Sequence, residues 1–188
     1  MTITQRRLTL EEFLRLPEEK PALEYLDGEV TRKMSPLGPH GTLQGRLYLR
    51  FELFGQERRL ARAFPETRVT FGEASFVPDL IVYRWERVPS DERGEVPAYF
   101  YEPPDIAVEI ASPGQTLRDL TERCRWYVEH GVQVTLLVLP RTRSIRVFRL
   151  GAELGPFSGS DRIDLGDVLP GFELAVDDLF GALRARPD

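Results

Sequence analysis

Residues 75–83, SFVPDLIVY, and residues 105–113, DIAVEIASP, are two apolar, β-prone runs, and each carries a carboxylate in its middle, Asp79 in the first and Glu109 in the second. The second run is apolar except for Glu109, as expected of a strand buried on both faces. A buried carboxylate needs a partner or an opening to solvent, because desolvating an unpaired charge is costly. Pro78 removes a backbone donor beside Asp79 and places a strand edge or bulge there. Two carboxylates at the ends of neighbouring strands repel, unless a cation lies between them or one keeps a proton. Mg²⁺ meets that requirement, since it prefers carboxylate, carbonyl and water oxygens. Taken singly, each acid has a plainer reading as the partner of one of the many arginines. Asp105, which follows Pro103 and Pro104 at the strand entrance, reads as a turn or cap residue.

Around these runs the elements alternate. LTLEEFLRL (8–16) sets Leu10, Phe13, Leu14 and Leu16 on one side of a short helix, with Thr9 and Glu12 at capping-box spacing. ALEYLDGEVTRKM (22–34) reads as a hairpin turning at Asp27-Gly28. GPHGT (38–42) reads as a break, and from about Thr42 the spacing of Leu43, Leu47, Phe51 and Phe54 predicts an amphipathic helix. ARAFPETRVTF (61–71) predicts strand followed by strand, and residues 84–104 a long surface excursion. Residues 116–130 predict a helix with Gly131 as its stop, followed by a buried strand, VTLLVL, and by SIRVFRL after the PRTR turn. The tail reads as a polar loop, the LPGFEL segment and a short helix around Asp178–Leu183. This order predicts an α/β (α+β) chain with a mixed central sheet flanked by helices, preceded by an N-terminal helix and β-hairpin.

The composition narrows the chemistry. With 188 residues the chain has the size of one domain, and 41% hydrophobic with 29% charged residues excludes a largely disordered polymer. No apolar run is long enough for a membrane helix, and the first residues lack a signal peptide's apolar stretch, so the expected location is the cytoplasm. The one cysteine, Cys124, and two histidines, His40 and His130, cannot build a thiolate–imidazole zinc site, so a metal must be held mainly by oxygen. A net charge of −5 gives no global attraction to nucleic acid, so such a partner would need a local basic patch. Of the 25 basic residues only Lys20 and Lys33 are lysines.

The segments YLDGEV, GPHGT, VPDLIVY, DIAVEIASPGQTLRDL, YVEHGV and LPGFEL, in this order and across nearly the whole chain, resemble the Uma-type family of restriction endonucleases within the PD-(D/E)XK nuclease superfamily. The resemblance implies a single restriction-endonuclease-like domain over residues 1–188. Its core would be a helix, a three-stranded antiparallel meander, a helix and a further strand. It also implies that Asp79 and Glu109 bind Mg²⁺, or Mn²⁺ in its place, with the Ile110 carbonyl as a further ligand. The implied chemistry is in-line attack on a DNA phosphodiester by metal-activated water, leaving a 5′-phosphate. Glu24 matches an upstream catalytic acid, with Glu29 second. His40 matches a histidine at the start of the first core helix, where substrate binding competes with capping or packing. A homodimer, or a higher homo-oligomer, would suit cleavage of both strands of a duplex.

One departure divides the possibilities. The superfamily's lysine stands two residues after the glutamate, and here that residue is Ala111. The family's alternative position, in the following helix, is Arg123, which keeps the charge and forks to phosphate but cannot act as a base. Gln115 is a candidate ligand of water or phosphate, or a helix cap. Arg118 is a candidate phosphate contact, or a solvated surface residue. Three functions remain open at this point: a Mg²⁺-dependent DNA endonuclease, a catalytically impaired relative that binds nucleic acid or a protein, and a metal-dependent hydrolase of a small phosphorylated substrate.

Overall fold

The computed structural model describes residues 7–35 and 37–186. Thr9 opens α1 (Leu10–Leu14): its hydroxyl accepts from Glu12 N at 3.1 Å while Glu12 Oε2 accepts from Thr9 N at 2.9 Å. This reciprocal pairing is the expected capping box. Strands β1 (Leu23–Leu26) and β2 (Glu29–Arg32) form the hairpin, with Asp27 and Gly28 both at positive φ, as a tight two-residue turn of this hand requires. Helix α2 runs over Gly38–Arg58, so GPHGT is its first turn and not a break before it. Proline fits there because the first turn's N–H groups have no intrahelical partner to lose. His40, Leu43, Leu47 and Phe51 form the buried face of α2.

After β3 (Ala61–Pro65) the chain leaves its sheet to make β4 (Val69–Phe71) and β5 (Ala74–Phe76), then returns as β6 (Leu80–Arg84). The excursion over residues 84–104 ends at β7 (Ile106–Ile110), and Thr116 caps α3 (Leu117–Glu129). Then come β8 (Val134–Leu139), β9 (Ser144–Arg149) and β10 (Ala152–Ser158). A six-stranded sheet has the order β10-β9-β8-β7-β6-β3, and a four-stranded sheet the order β2-β1-β5-β4. Only β7 and β8 pair in parallel in the larger sheet, joined through α3, so that sheet is mixed. Helix α2, the meander β3-β6-β7, α3 and β8 thus make the restriction-endonuclease-like core. The run SFVPDLIVY is split by this topology: β5 lies in one sheet, β6 in the other, and Val77-Pro78-Asp79 is the crossing.

Each face of the large sheet has its own cover. Leu80, Val82, Ile106, Val108 and Ile110 pack with Leu43, Leu47 and Phe51 of α2, and Ile81, Tyr83 and Ala107 point the other way, toward Phe71, Phe76 and Tyr127. The alternation is the two-residue period of a strand. The tail departs from the expected polar loop: β10, β11 (Arg162–Asp164) and β12 (Glu173–Ala175) precede α4 (Val176–Gly181). AELGPFS does not read as a strand because Gly155 and Pro156 interrupt it, and the register with β9 indeed shifts between Leu154 and Phe157. Phe172 stacks on Phe51 with ring centroids 4.5 Å apart, fixing the tail to α2.

Asp105, fully buried at the entrance of β7, accepts from Arg84 N (2.8 Å), Arg84 Nε (3.1 Å), Arg87 Nη1 (2.7 Å) and Gln133 Nε2 (2.6 Å). It therefore clamps β6, β7 and the approach to β8 at the edge opposite Glu109. Asp105→Ala leaves Arg87 without its acid, Arg84 with only Glu86 at 3.5 Å and the Arg84 amide without its acceptor, and the expected cost is about 3–5 kcal/mol of unfolding free energy in urea. A loss below about 1 kcal/mol, the worth of an ordinary surface pair, would refute the clamp.

Candidate metal centre

Strands β6 and β7 pair Leu80 with Val108 and Ile81 with Ala107, and the ladder ends there, with Asp79 just before β6 and Glu109 just after Val108 in β7, at the same end of the two strands. The amide of Asp79 donates to Val108 O at 3.1 Å, which ties Asp79 to β7 beside Glu109. Both side chains are buried, Asp79 at 2% and Glu109 at 3% exposure.

Two sets of partners divide the pair. Asp79 Oδ2 accepts from Ile110 N at 2.7 Å, and Asp79 Oδ1 faces Lys33 Nζ at 2.7 Å and His40 Nε2 at 3.2 Å. Lys33, just past β2, also donates to Val77 O (2.6 Å) and lies 3.1 Å from Glu66 Oε2. Gln44 of α2 donates to Glu66 Oε1 (2.8 Å) and to the Asp79 carbonyl (2.7 Å). On the other side, Glu109 Oε1 accepts from the Tyr127 hydroxyl at 2.7 Å and lies 3.7 Å from Arg123 Nη1. Arg123 Nη2 pairs with Glu24 Oε2 at 2.8 Å, and Glu24 Oε1 accepts from Val77 N at 3.0 Å. The crossing segment Val77–Asp79 is thus pinned by β1, β2, α2 and β7 together.

The charges follow from these contacts. Burial pushes the Asp79 carboxyl up, but His40 and Lys33 outweigh it and hold the group below its usual 3.8. Burial likewise opposes the Lys33 ammonium, yet Asp79, Glu109 and Glu66 hold it above 10.5. Glu109 moves the other way: burial, with Asp79 and Glu24 adding to it against Arg123 and Lys33, pushes it from 4.5 up to about 7. Arg123 is held above its usual value despite burial, by Glu109 and Glu24 among others. One acid of the pair is therefore firmly ionised and the other is poised to take a proton.

His40, Glu66 and Asp79 each offer one ligand atom, and these atoms lie within 4.8 Å of one another. Asp79 Oδ1 makes close charged contacts with Lys33 Nζ and His40 Nε2, yet Asp79 Oδ1 and His40 Nε2 are buried polar atoms without a well-aligned hydrogen bond among the described residues. An imidazole nitrogen and two carboxylates fit a divalent cation, and the Lys33 ammonium, 2.7 Å from Asp79 Oδ1 and 3.1 Å from Glu66 Oε2, now holds the position such a cation would share. Glu66 is exposed, so the cluster opens to solvent on that side.

The residues singled out in the sequence separate clearly. Asp79, Glu109, Glu24, Arg123 and His40 come together, and Ile110 joins through its amide nitrogen. Gln115 sits one step out: its Oε1 accepts from Ser112 N at 2.8 Å, Ser112 Oγ is 2.9 Å from His40 Nδ1, and Thr116 is the helix cap. Arg118 is not brought to the cluster; it lies exposed and pairs with Glu122 at 2.8 Å. Glu29 is also exposed, 3.8 Å from Arg7. Lys33 and Glu66 escape a reading of the sequence, since RKM and PET carry no motif. The one available signal is that Lys33 is among only two lysines in an arginine-rich chain.

Residues 10–177 match the family model Uma2, described as "Putative restriction endonuclease". The chain belongs to the Uma2 family. A crystal structure described as "a putative nuclease belonging to DUF820 from Anabaena variabilis ATCC 29413" is similar, with a TM-score of 0.89 and 35% identity over 94% of this chain and 99% of that one. No curated protein matches the chain. Membership of Uma2 places the fold in the PD-(D/E)XK-like nuclease superfamily, with a cluster able to coordinate a divalent metal. Among the described residues no helix is long and apolar enough to cross a membrane.

Two outcomes test the electrostatics of this Uma2 site. Lys33→Met strips buried Asp79 of its cation and is expected to cost the metal-free protein about 3 kcal/mol, a loss that Mn²⁺ largely reverses. Thermal melts in which Mn²⁺ raises Tm equally in wild type and variant would contradict the shared position. Because folded Glu109 titrates near 7 and unfolded glutamate near 4.5, its ionisation destabilises the fold progressively as pH rises through that window. The stability of Glu109→Gln relative to wild type should therefore increase from pH 4.5 to pH 7 in chelator, and a pH-independent difference would exclude the raised titration.

Proposed function

We propose that the protein is a metal-dependent endonuclease that hydrolyses DNA phosphodiester bonds, using Mg²⁺ or Mn²⁺ held by His40, Glu66 and Asp79 beside Glu109. The observation that carries this reading is the meeting of buried Asp79 with an imidazole and a second carboxylate at a solvent opening, with buried Glu109 at the same strand end. When bound, the divalent ion supplies Lewis acidity toward a phosphate oxygen and lowers the pKa of its water. The carboxylates favour Mg²⁺, and the His40 nitrogen tilts the set toward Mn²⁺.

The chain's own groups share the remaining work. Lys33 brings a compact ammonium to the cluster, able to move on its flexible stem toward a developing negative charge. Arg123, held by Glu24 over the Phe76 ring at 5.1 Å, supplies a fixed positive charge and no proton transfer. Glu109, poised near neutrality, is the group able to accept a proton. His40 is kept in orientation by Ser112, and Ser112 by Gln115. A homodimer, with one site for each strand of a duplex, belongs to the same proposal.

A second reading rests on Arg123: committed to Glu24 and Glu109, with Ala111 in the usual lysine position, it fits a relative that binds nucleic acid or a protein without cutting. Plasmid nicking in Mg²⁺ and in Mn²⁺ separates the two. Wild type is expected to nick, and Asp79→Ala to lose about two to three orders of magnitude in rate, the scale of one removed charge-stabilising group. Equal nicking by both proteins would locate the activity elsewhere. Binding of DNA without nicking in either metal would replace the endonuclease reading with the second.

A further inference from the structure

The parallel pairing of β7 and β8 aligns Ile110 with Val138, and Ala111 N donates to Val138 O at 2.9 Å. Both strands therefore end at the same edge of the sheet, about 4.8 Å apart. At that edge β7 delivers Glu109, Ile110 and Ser112, and β8 delivers the turn Pro140–Arg143. The turn is tight: Arg143 N donates to Pro140 O at 3.4 Å, and Thr142 Oγ1 lies 2.7 Å from Ser144 Oγ. Arg143 adopts the left-handed backbone (φ 47°) in which glycine or asparagine is more usual. Arg141, Thr142 and Arg143 are all exposed.

Neither Arg141 nor Arg143 makes an ion pair or a side-chain hydrogen bond with a described residue. Their neighbours on the same strands differ: Arg146 pairs with Glu153 at 3.0 Å, and Arg149 pairs with Asp167. In a chain of net charge −5 the turn is thus a local, uncompensated positive patch, one strand away from the metal cluster. Two guanidinium groups without an acid suit a nucleic-acid backbone, because it offers one anion per nucleotide and guanidinium forks onto phosphate oxygens.

We infer that the Pro140–Arg143 turn is a phosphate-contacting arm that grips the DNA backbone beside the metal cluster, with Arg141 and Arg143 each holding one phosphate. This rests on the nuclease reading and adds to it the surface that positions the substrate. Contacts of this kind set register and orientation without reading base sequence. The net acidity of the chain makes such an arm necessary, since no global attraction brings DNA to the site.

The test is fluorescence anisotropy of the full chain with labelled duplex DNA of two unrelated sequences over a range of KCl. It compares wild type, Arg141→Ala/Arg143→Ala and Arg141→Lys/Arg143→Lys, with thermal melts and a Mn²⁺ titration by calorimetry. The alanine double variant is expected to bind both duplexes roughly tenfold or more weakly and to lose about 1.8 from the slope of log affinity against log salt. Melting and Mn²⁺ binding should stay as in wild type, and the lysine variant should keep most of the slope. An unchanged slope in the alanine variant overturns the arm while a wild type that still nicks DNA leaves the nuclease reading intact. Wild type that neither binds nor cuts DNA overturns both, as does a wild type that binds polyglutamate but not duplex DNA.

Discussion

Two buried carboxylates stand at the same end of an antiparallel pair of strands, and the surroundings of the site answer their repulsion. Asp79 is bonded through its amide to Val108, the neighbour of Glu109 in β7, so neither acid can retreat without breaking that bond. The compensation is divided: Lys33 and His40 on Asp79, Arg123 and Tyr127 on Glu109. Because the compensating groups come from three separate parts of the chain, the hairpin, α2 and α3 must all be docked before the pair is tolerable. A stress placed at the sheet's centre thereby specifies the arrangement of its periphery.

The crossing at Val77-Pro78-Asp79 makes this possible. A proline at a place where the chain changes sheets sacrifices no ladder hydrogen bond, and it leaves the Val77 amide and carbonyl free to meet side chains. Glu24 takes the amide and Lys33 the carbonyl. The small sheet is therefore joined to the large one both through the chain and through two polar contacts to one residue. Fold and site share this joint.

The sequence makes legible whatever depends on local pattern. Alternation and apolar runs identify the strands around Asp79 and Glu109, the capping box marks α1, and Asp27-Gly28 marks the hairpin. A carboxylate inside an apolar strand declares itself, which is why Asp79 and Glu109 stand out, whereas Glu24 is reached only through the family resemblance. Lys33 and Glu66 are reached by neither route, because each stands in an ordinary polar context and acquires its role only when two sheets meet. The start of α2 and the whole of β10 were hidden for a related reason: Gly and Pro normally punctuate, and here Gly38-Pro39 opens a helix while Gly155-Pro156 sits within a bulged strand.

That bulged strand also governs how copies of this chain can meet. β10 is an outer strand of the large sheet, exposed along nearly its whole length, and a regular outer strand is an open template for another chain's backbone. Pro156 removes a donor from that template, and the register shift between Leu154 and Phe157 bends what is left. Continuous sheet growth from molecule to molecule is blocked at this edge. Self-association is thereby directed to side-chain surfaces, where it can close on itself, and away from the open-ended stacking that turns soluble protein into fibre.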